Sequence, residues 1–517
     1  MAMAHHSTAM DAARRFTGTA FHAWKDEPAM SERRRTALLL AAVAVVYALN
    51  VAPTMATLWG DDNAMYVALS LALGHVRGYR ELYVPGAPHC AYYPPGYPAL
   101  LAPIWWFGPL GATGVTAGRA LSALCMLGAV YLWHRILRRH LSPGLALLAT
   151  LTLAVFPPVL DMAQDLMSDA PFTLLLALSL VLTQELVDTG SRRTAVLTGL
   201  LLGTLPLVRD AGLPLVAGVW AMVALRRRSC LPSLLLGQIP TGLLWLASQR
   251  HGSSALAHLA AVPSPVLAGP LLVNDVLPDL VWPWRFHGPA LASLACPSAP
   301  PPVLEPWPLV GVLVLLVAVA GWVPLARRGQ GVAWVPLVYL ATVVSFHWPP
   351  LRFMVPLLPV VGLCLLMGSR RCAPWICALS LMGSLAVDAG RIHDGWIHGH
   401  RGGPSAEATW QAFDQGCRWL ALNTPPDGVV ATPYRATTWL LTGRVTVEQN
   451  DISGHAAWVL NAPKYNQATG ESISPQAIDE YRRQHPGALQ ETWASPGRQV
   501  VVYRNTQYKL QDGPTSQ

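Results

Sequence analysis

Charge is what this sequence has least of. Of its 517 residues only 12% are Asp, Glu, Lys or Arg, about half the ~25% usual in soluble domains. That deficit, with 52% hydrophobic residues and a mean hydropathy of +0.35, excludes a soluble enzyme, a disordered chain and a fibrous protein. Lysine is almost missing, with only Lys25, Lys464 and Lys509. The basic residues are therefore nearly all Arg, in short clusters between apolar runs. The net charge of +8 is then no nucleic-acid signature, and no nucleic-acid partner is expected. CxxC pairs are also missing. The eight cysteines, at 90, 125, 230, 296, 364, 372, 377 and 417, show no metal-ligand spacing. Those in apolar runs read as small hydrophobes. Residues 1–35 are polar and basic, and read as a cytoplasmic, disordered segment rather than a cleavable signal peptide.

Long apolar runs are abundant. With 42 Gly and 45 Pro, they fit a polytopic α-helical membrane protein with irregular loops. Candidate spans lie near 36–55, 118–134, 142–160, 170–187, 194–208, 212–225, 231–248, 306–325, 332–347, 353–369 and 373–389, about eleven transmembrane helices. The pair 194–208 and 212–225 is short enough to be a broken span. With the N-terminus inside, the loops predicted inside collect the Arg clusters at 135–139, 192–193, 226–228, 327–328 and 370–371. The positive-inside rule then holds at every inside loop and places the C-terminus outside. Residues 36–390 form the predicted membrane domain, with outer loops 56–117 and 249–305. Segment 97–110 is apolar but lies along the interface in this reading, because a span there would put the Arg clusters outside. In 391–517 charge rises and Leu runs vanish. Strand-like runs at 429–431, 445–447, 457–460 and 500–503, with helical stretches at 405–422 and 475–485, predict a small extracytoplasmic α/β domain.

Four places in the outer segments could carry chemistry. Asp61 and Asp62 adjoin where the first span ends. Carboxylates at a membrane boundary are solvated, paired or functional, and an N-cap role is the bland alternative. Tyr92 and Tyr93 precede Pro94-Pro95-Gly96-Tyr97-Pro98, a rigid turn whose rings suit an interfacial belt or sugar stacking. Asp161, Asp165 and Asp169, four apart, would share one face of a helix. Solvation in a short loop, or an N-cap at Asp169, are the alternatives. Finally, Arg209, Arg352 and Arg285 break the charge bias. Arg suits a phosphate, since its planar fork gives two charge-assisted hydrogen bonds. Asp210 beside Arg209 offers simple neutralisation, and Arg352 could instead snorkel to headgroups. The tail could grip the acceptor or only cover the site, and His455, Tyr434 and Arg444 are exposed-looking polar candidates there, with ordinary surface as the bland alternative.

Paired acids after the first span, Tyr92-Tyr93-Pro94-Pro95-Gly96-Tyr97-Pro98, Ser168-Asp169-Ala170-Pro171-Phe172 opening a span, and Arg352-Phe353 before Pro356 occur in that order. Over about 36–390 this arrangement resembles the GT-C class of integral-membrane glycosyltransferases. It is nearest the branch of the protein O-mannosyltransferases and the lipid A aminoarabinose transferase. The tail resembles the C-terminal domain of bacterial members through Trp419-Leu420 to Val430 and Leu440-Leu441-Thr442-Gly443-Arg444.

The resemblance implies a bacterial plasma-membrane enzyme with an extracytoplasmic active site. Its donor would be a polyprenyl-phosphate sugar and its acceptor a glycan, lipid or protein. Asp61 or Asp62 matches the acidic pair that carries the base, although many relatives have Asp-Glu. Asp169, then Asp165, matches the second acid. Arg352 matches the residue that meets the lipid phosphate, with Phe353 where relatives have Tyr. No tightly bound cofactor is implied. A divalent metal between acids and phosphate is chemically compatible, though no ligand set is evident. The rival readings are a transporter, which fits Pro/Gly-broken helices but not the acidic–aromatic outer loop, and a catalytically silent polyprenyl-lipid-binding relative. A disulfide between Cys90 and Cys296 is a further expectation.

Overall fold

The computed structural model describes residues 31–51, 53–55, 58, 61–90, 92–106, 110–248, 307–344, 354–398, 403–452, 455–465, 472–473 and 476–508. Arg352, Phe353, Arg285, Cys296 and the second outer loop lie outside the described residues, as does the segment before residue 31. Residues 1–42 and 43–517 are two compact units.

Helices form where the apolar runs lie. In chain order they are α1 (Glu32–Asn50), α2 (Asp62–Gly74), α3 (Gly96–Leu101), α4 (Ala112–Arg138), α5 (Pro143–Ala154), α6 (Pro157–Gln164), α7 (Asp169–Thr189), α8 (Arg192–Val208), α9 (Leu213–Arg226), α10 (Leu231–Ser248), α11 (Trp307–Arg327), α12 (Gly331–Val344), α13 (Leu358–Gly368) and α14 (Ala373–His398). Among the described residues, four helical segments are long and apolar enough to cross a membrane: Ala112–Arg138, Asp169–Thr189, Arg228–Ser248 and Ala373–Ile397. A fifth arises if α5 and α6 count as one span bent by 58°. The run 142–160 is thus not one straight helix. Pro157 and Pro158 hold Phe156 out of helical geometry, at φ −64° and ψ 128°.

Helix ends follow local chemistry. Arg135 and Arg138 sit in the last turn of α4, where cations suit the helix dipole. Gly190 ends α7 in the left-handed region, and its N–H bonds the Leu186 carbonyl at 2.8 Å. Segment 97–110, read as interfacial, holds only α3 and a 3-10 turn over Ala102–Trp106 among the described residues.

The C-terminal region adds α15 (Gly403–Asn423), β1 (Val430–Thr432), α16 (Arg435–Thr442), β2 (Thr446–Glu448), β3 (Trp458–Asn461), a two-stranded ribbon of β4 (Lys464–Tyr465) and β5 (Ser472–Ile473), α17 (Gln476–Gln484), β6 (Leu489–Ala494) and β7 (Val501–Asn505). The main sheet runs β2-β1-β3-β7-β6. β1 is parallel to β2 and β3, and β7 is antiparallel to β3 and β6. Side chains alternate across it. Val500 and Val502 join Phe413, Cys417 and Leu420 of α15 on one face. Val501 and Tyr503 join Ile478 and Tyr481 of α17 on the other. Two polar residues that look exposed in sequence are structural. Tyr434 is buried and donates to the Pro463 carbonyl at 3.0 Å. Arg444 donates to the carbonyls of Ala421 and Thr424 at 2.9 and 2.7 Å.

This region is joined to the segment between α2 and α3. Thr446 donates to the Tyr83 carbonyl through its amide and its hydroxyl, at 2.7 and 2.9 Å. Ala436 of α16 is buried in one core with Leu58, Tyr66, Tyr83, Tyr97 and Trp105, and Trp439 and Leu440 pack against it.

Candidate active site

Asp61 occupies the N-cap position of α2, but its side chain caps nothing in that helix. Its backbone sits at φ 71° and ψ −44°, a strained positive-φ conformation near the γ-turn region. So placed, the carboxylate turns to α16. Oδ1 accepts the Thr437 amide at 3.2 Å. The Thr437 hydroxyl lies 3.4 Å from the same oxygen but donates at 2.8 Å to the Leu58 carbonyl. The N-cap reading of Asp61 is therefore corrected: it serves the first turn of a helix from the far end of the chain. Burial pushes the Asp61 carboxyl up from the usual 3.8 to about 6. The Thr437 amide and Arg435 pull it down, Asp62 pushes it up, and the Ala436 amide adds a smaller downward pull.

Asp62 opens α2, and its Oδ1 accepts the Tyr93 hydroxyl at 2.8 Å. Tyr93 is held in turn. Its carbonyl accepts the Tyr79 hydroxyl at 2.7 Å, and its ring packs against Tyr66 and Tyr92, each 4.8 Å between centroids. Tyr92 is 51% exposed. Tyr66 then links this loop to the start of α7, its hydroxyl lying 3.0 Å from the Ser168 hydroxyl.

Asp169, 1% exposed, follows in the first turn of α7. Its Oδ1 forms an ion pair with Arg209, at the C-terminal end of α8. The ion pair of Arg209 thus reaches across a helix interface. Gly96 positions the intervening turn: a β-carbon there would stand 2.6 Å from the Leu207 carbonyl oxygen. The Pro-Pro-Gly turn can therefore lie directly on the end of α8.

The three acids at 161, 165 and 169 do not share one helix face. Asp161 is in α6, Asp165 follows it at φ −74° and ψ 143°, and α7 restarts at Asp169. The chain breaks there because α6 ends after two turns. Asp165 lies at the junction of α6 and α7, four residues before Asp169.

The structure thus gathers Asp61, Asp62, Tyr92, Tyr93, Asp165, Asp169 and Arg209 around the starts of α2 and α7. Two buried charges escaped the sequence reading. Arg119 of α4 is 1% exposed and donates to the Gln164 carbonyl at 3.2 Å and to the Gln164 side chain. Asp388 of α14 is 2% exposed. Arg119 was legible only as a charge at the outer end of an apolar run. Among the described residues no three His, Cys, Asp or Glu side chains converge as metal ligands.

Residues 94–249 match the family described as dolichyl-phosphate-mannose-protein mannosyltransferase. The fold aligns with ArnT from Cupriavidus metallidurans in the apo state at a TM-score of 0.54 and 13% identity, covering 91% of this chain and 98% of that one. The same protein bound to undecaprenyl phosphate aligns at 0.49 and 16%, covering 92% and 99%. The Archaeoglobus fulgidus oligosaccharyltransferase in the apo form aligns at 0.47 and 12%, covering 92% and 75%. No curated protein sequence matches the chain. The apo ArnT alignment shows the fold, and the family match covers the segment that carries Asp165, Asp169 and Arg209. Together they support a membrane glycosyltransferase of the GT-C class.

Proposed function

We propose that the protein moves a sugar from a polyprenyl-phosphate donor to an acceptor on the outer side of a bacterial plasma membrane. Asp61 would be its general base. The observation that carries this reading is the Asp61 carboxylate, held by the Thr437 amide and with a pKa of about 6. A base works best when its pKa lies near the working pH. The description of the matched family, which names dolichyl-phosphate-mannose, supports a lipid-linked donor.

In the proposed step, Asp61 takes the proton of an acceptor hydroxyl as that oxygen attacks the anomeric carbon. The bond from that carbon to the lipid phosphate breaks, and one displacement inverts the centre. The leaving phosphate gains negative charge, which a nearby Arg stabilises where water is scarce. Arg352 is the proposed phosphate ligand. Arg209, held by Asp169, is the second cation. Asp62, with Tyr93, and the exposed face of Tyr92 are proposed to shape the sugar subsite, with Asp165 at its edge. The packing of loop 61–90 against α16 supports one side of the membrane for loop and tail. The eleven-helix topology with the C-terminus outside belongs to the same proposal.

The test uses full-length protein in nanodiscs, with and without chelator, and polyprenyl-phosphate mannose tritiated in the sugar. Sugar release or transfer by wild type, lost in Arg352→Ala, is the expected result. Binding without turnover would favour a silent lipid-binding relative. No binding would move the transporter reading forward.

A further inference from the structure

The tail is tied to the proposed base at one point, the first turn of α16. This helix begins at Arg435, so the amides of Ala436 and Thr437 are among the four that an α-helix leaves without internal partners. The Thr437 amide donates to Asp61 Oδ1 at 3.2 Å. The Thr437 hydroxyl holds the Leu58 carbonyl at 2.8 Å, just before the acidic pair. Arg435 stands on the same turn. Its guanidinium lies 5.8 Å from the centre of the Tyr83 ring and pairs with Glu448 at 3.4 Å. Tyr83 is itself fixed to β2 by the two bonds from Thr446.

We propose that the first turn of α16 is the positioning element of the base: Arg435 and the Thr437 amide aim and charge-balance the Asp61 carboxylate, so that the tail completes the catalytic site. The mechanism has no other use for this contact. A carboxylate against helix N-terminal amides is electrostatically favoured. The strained backbone at Asp61 persists only where surroundings over-determine it, and α16 supplies that constraint. The proposal rests on the reading of Asp61 as the base and names what sets it.

The charged and titratable groups around Asp61 are few. Asp62 neighbours it in the chain and raises its pKa. Arg435 of α16 lowers it, as do the amides of Thr437 and Ala436. Tyr83 faces it from the outer loop. Glu448 acts through its pair with Arg435, and Tyr93 through its bond to Asp62. Removing the Arg435 charge therefore moves the titration of Asp61 upward, whereas loss of mere packing at the same place would not.

The experiment has two readouts on full-length protein in nanodiscs. The first is the pH dependence of tritiated polyprenyl-phosphate mannose turnover. The second needs no turnover: the pH midpoint at which dicyclohexylcarbodiimide, which attacks protonated carboxyls in apolar surroundings, labels Asp61, read by peptide mass spectrometry. In Arg435→Gln both midpoints should rise by about one pH unit. Turnover near pH 6.5 then falls about threefold and returns toward wild type near pH 8.5. Arg435→Lys, which keeps the charge, should restore both. Thr437→Pro removes the amide donor in the first turn of α16, where no intrahelical hydrogen bond is lost, and should raise the labelling midpoint. Thr437→Val keeps the amide and should leave that midpoint in place. Labelling midpoints equal to wild type in both Arg435→Gln and Thr437→Pro would overturn the proposal. Absence of turnover in wild type would remove the functional reading while the labelling still decides the positioning.

Discussion

The Asp61 carboxylate accepts the Thr437 amide across 376 positions of sequence. A segment near the end of the chain thereby fixes an acid near its beginning, at the start of α2. The acid is partly buried, carries a strained backbone and has a raised pKa.

Its titration has a stability consequence. The folded value of about 6 lies above the ordinary 3.8, so the fold favours the neutral acid. That stabilisation is full below about pH 3.8 and is lost as pH rises through about 6. Asp61→Asn should therefore unfold later than wild type at about pH 7.5, by on the order of 1–2 kcal/mol since the residue keeps some solvent contact. Near pH 3.5 the two should unfold together, and thermal unfolding in detergent at both pH values checks it.

The Asp169–Arg209 pair should show the asymmetry of buried ions. Asp169→Asn leaves a largely buried guanidinium poorly compensated and should cost about 3–5 kcal/mol. The double variant Asp169→Asn/Arg209→Gln should recover part of that loss. A double-mutant cycle on thermal unfolding measures it, and strict additivity would contradict the pairing.

Tyr93→Phe keeps the ring stack with Tyr66 and Tyr92 but removes the donor to Asp62. The expected loss is about 1.5–3 kcal/mol, the range for a hydrogen bond to a charged group. It should appear in donor KM more than in kcal of global stability, because Asp62 remains partly exposed. Steady-state kinetics separates the two.

Gly96→Val should weaken the protein by about 1–3 kcal/mol, the usual cost of overpacking. The added atoms would meet the Leu207 carbonyl, which is backbone and cannot swing away. Turnover should fall with it, because the same turn carries Tyr92 and Tyr93. Gly144→Ala, which meets nothing within 4 Å, is the matched control.

Much of the candidate site was legible because charge is rare here. In an apolar chain, Asp61, Asp62, Asp169 and Arg209 stand out one by one, and the order of their motifs carried the class. The strands of the tail were legible for a similar reason: short Val-rich runs appear where Leu runs stop. Contacts between distant segments were not legible. Nothing near Asp61 announces Thr437, and nothing near Asp169 announces Arg209. The bend between α5 and α6 was written in Pro157-Pro158, but a hydropathy run averages over it. Tyr434 and Arg444 read as surface because polar side chains satisfied by backbone carbonyls look no different in sequence from solvated ones.

The most direct measurement compares sugar transfer from tritiated polyprenyl-phosphate mannose by wild type, Asp61→Asn and Asp62→Asn across about pH 5 to 9. A base with a pKa of about 6 gives wild-type turnover that climbs through that pH and then levels. Asp61→Asn should lose about 10²–10⁴-fold with no such climb, the usual worth of a general base, while Asp62→Asn keeps the wild-type limb at reduced height. A rising limb near pH 6 that survives in Asp61→Asn and disappears in Asp62→Asn would contradict the assignment of Asp61.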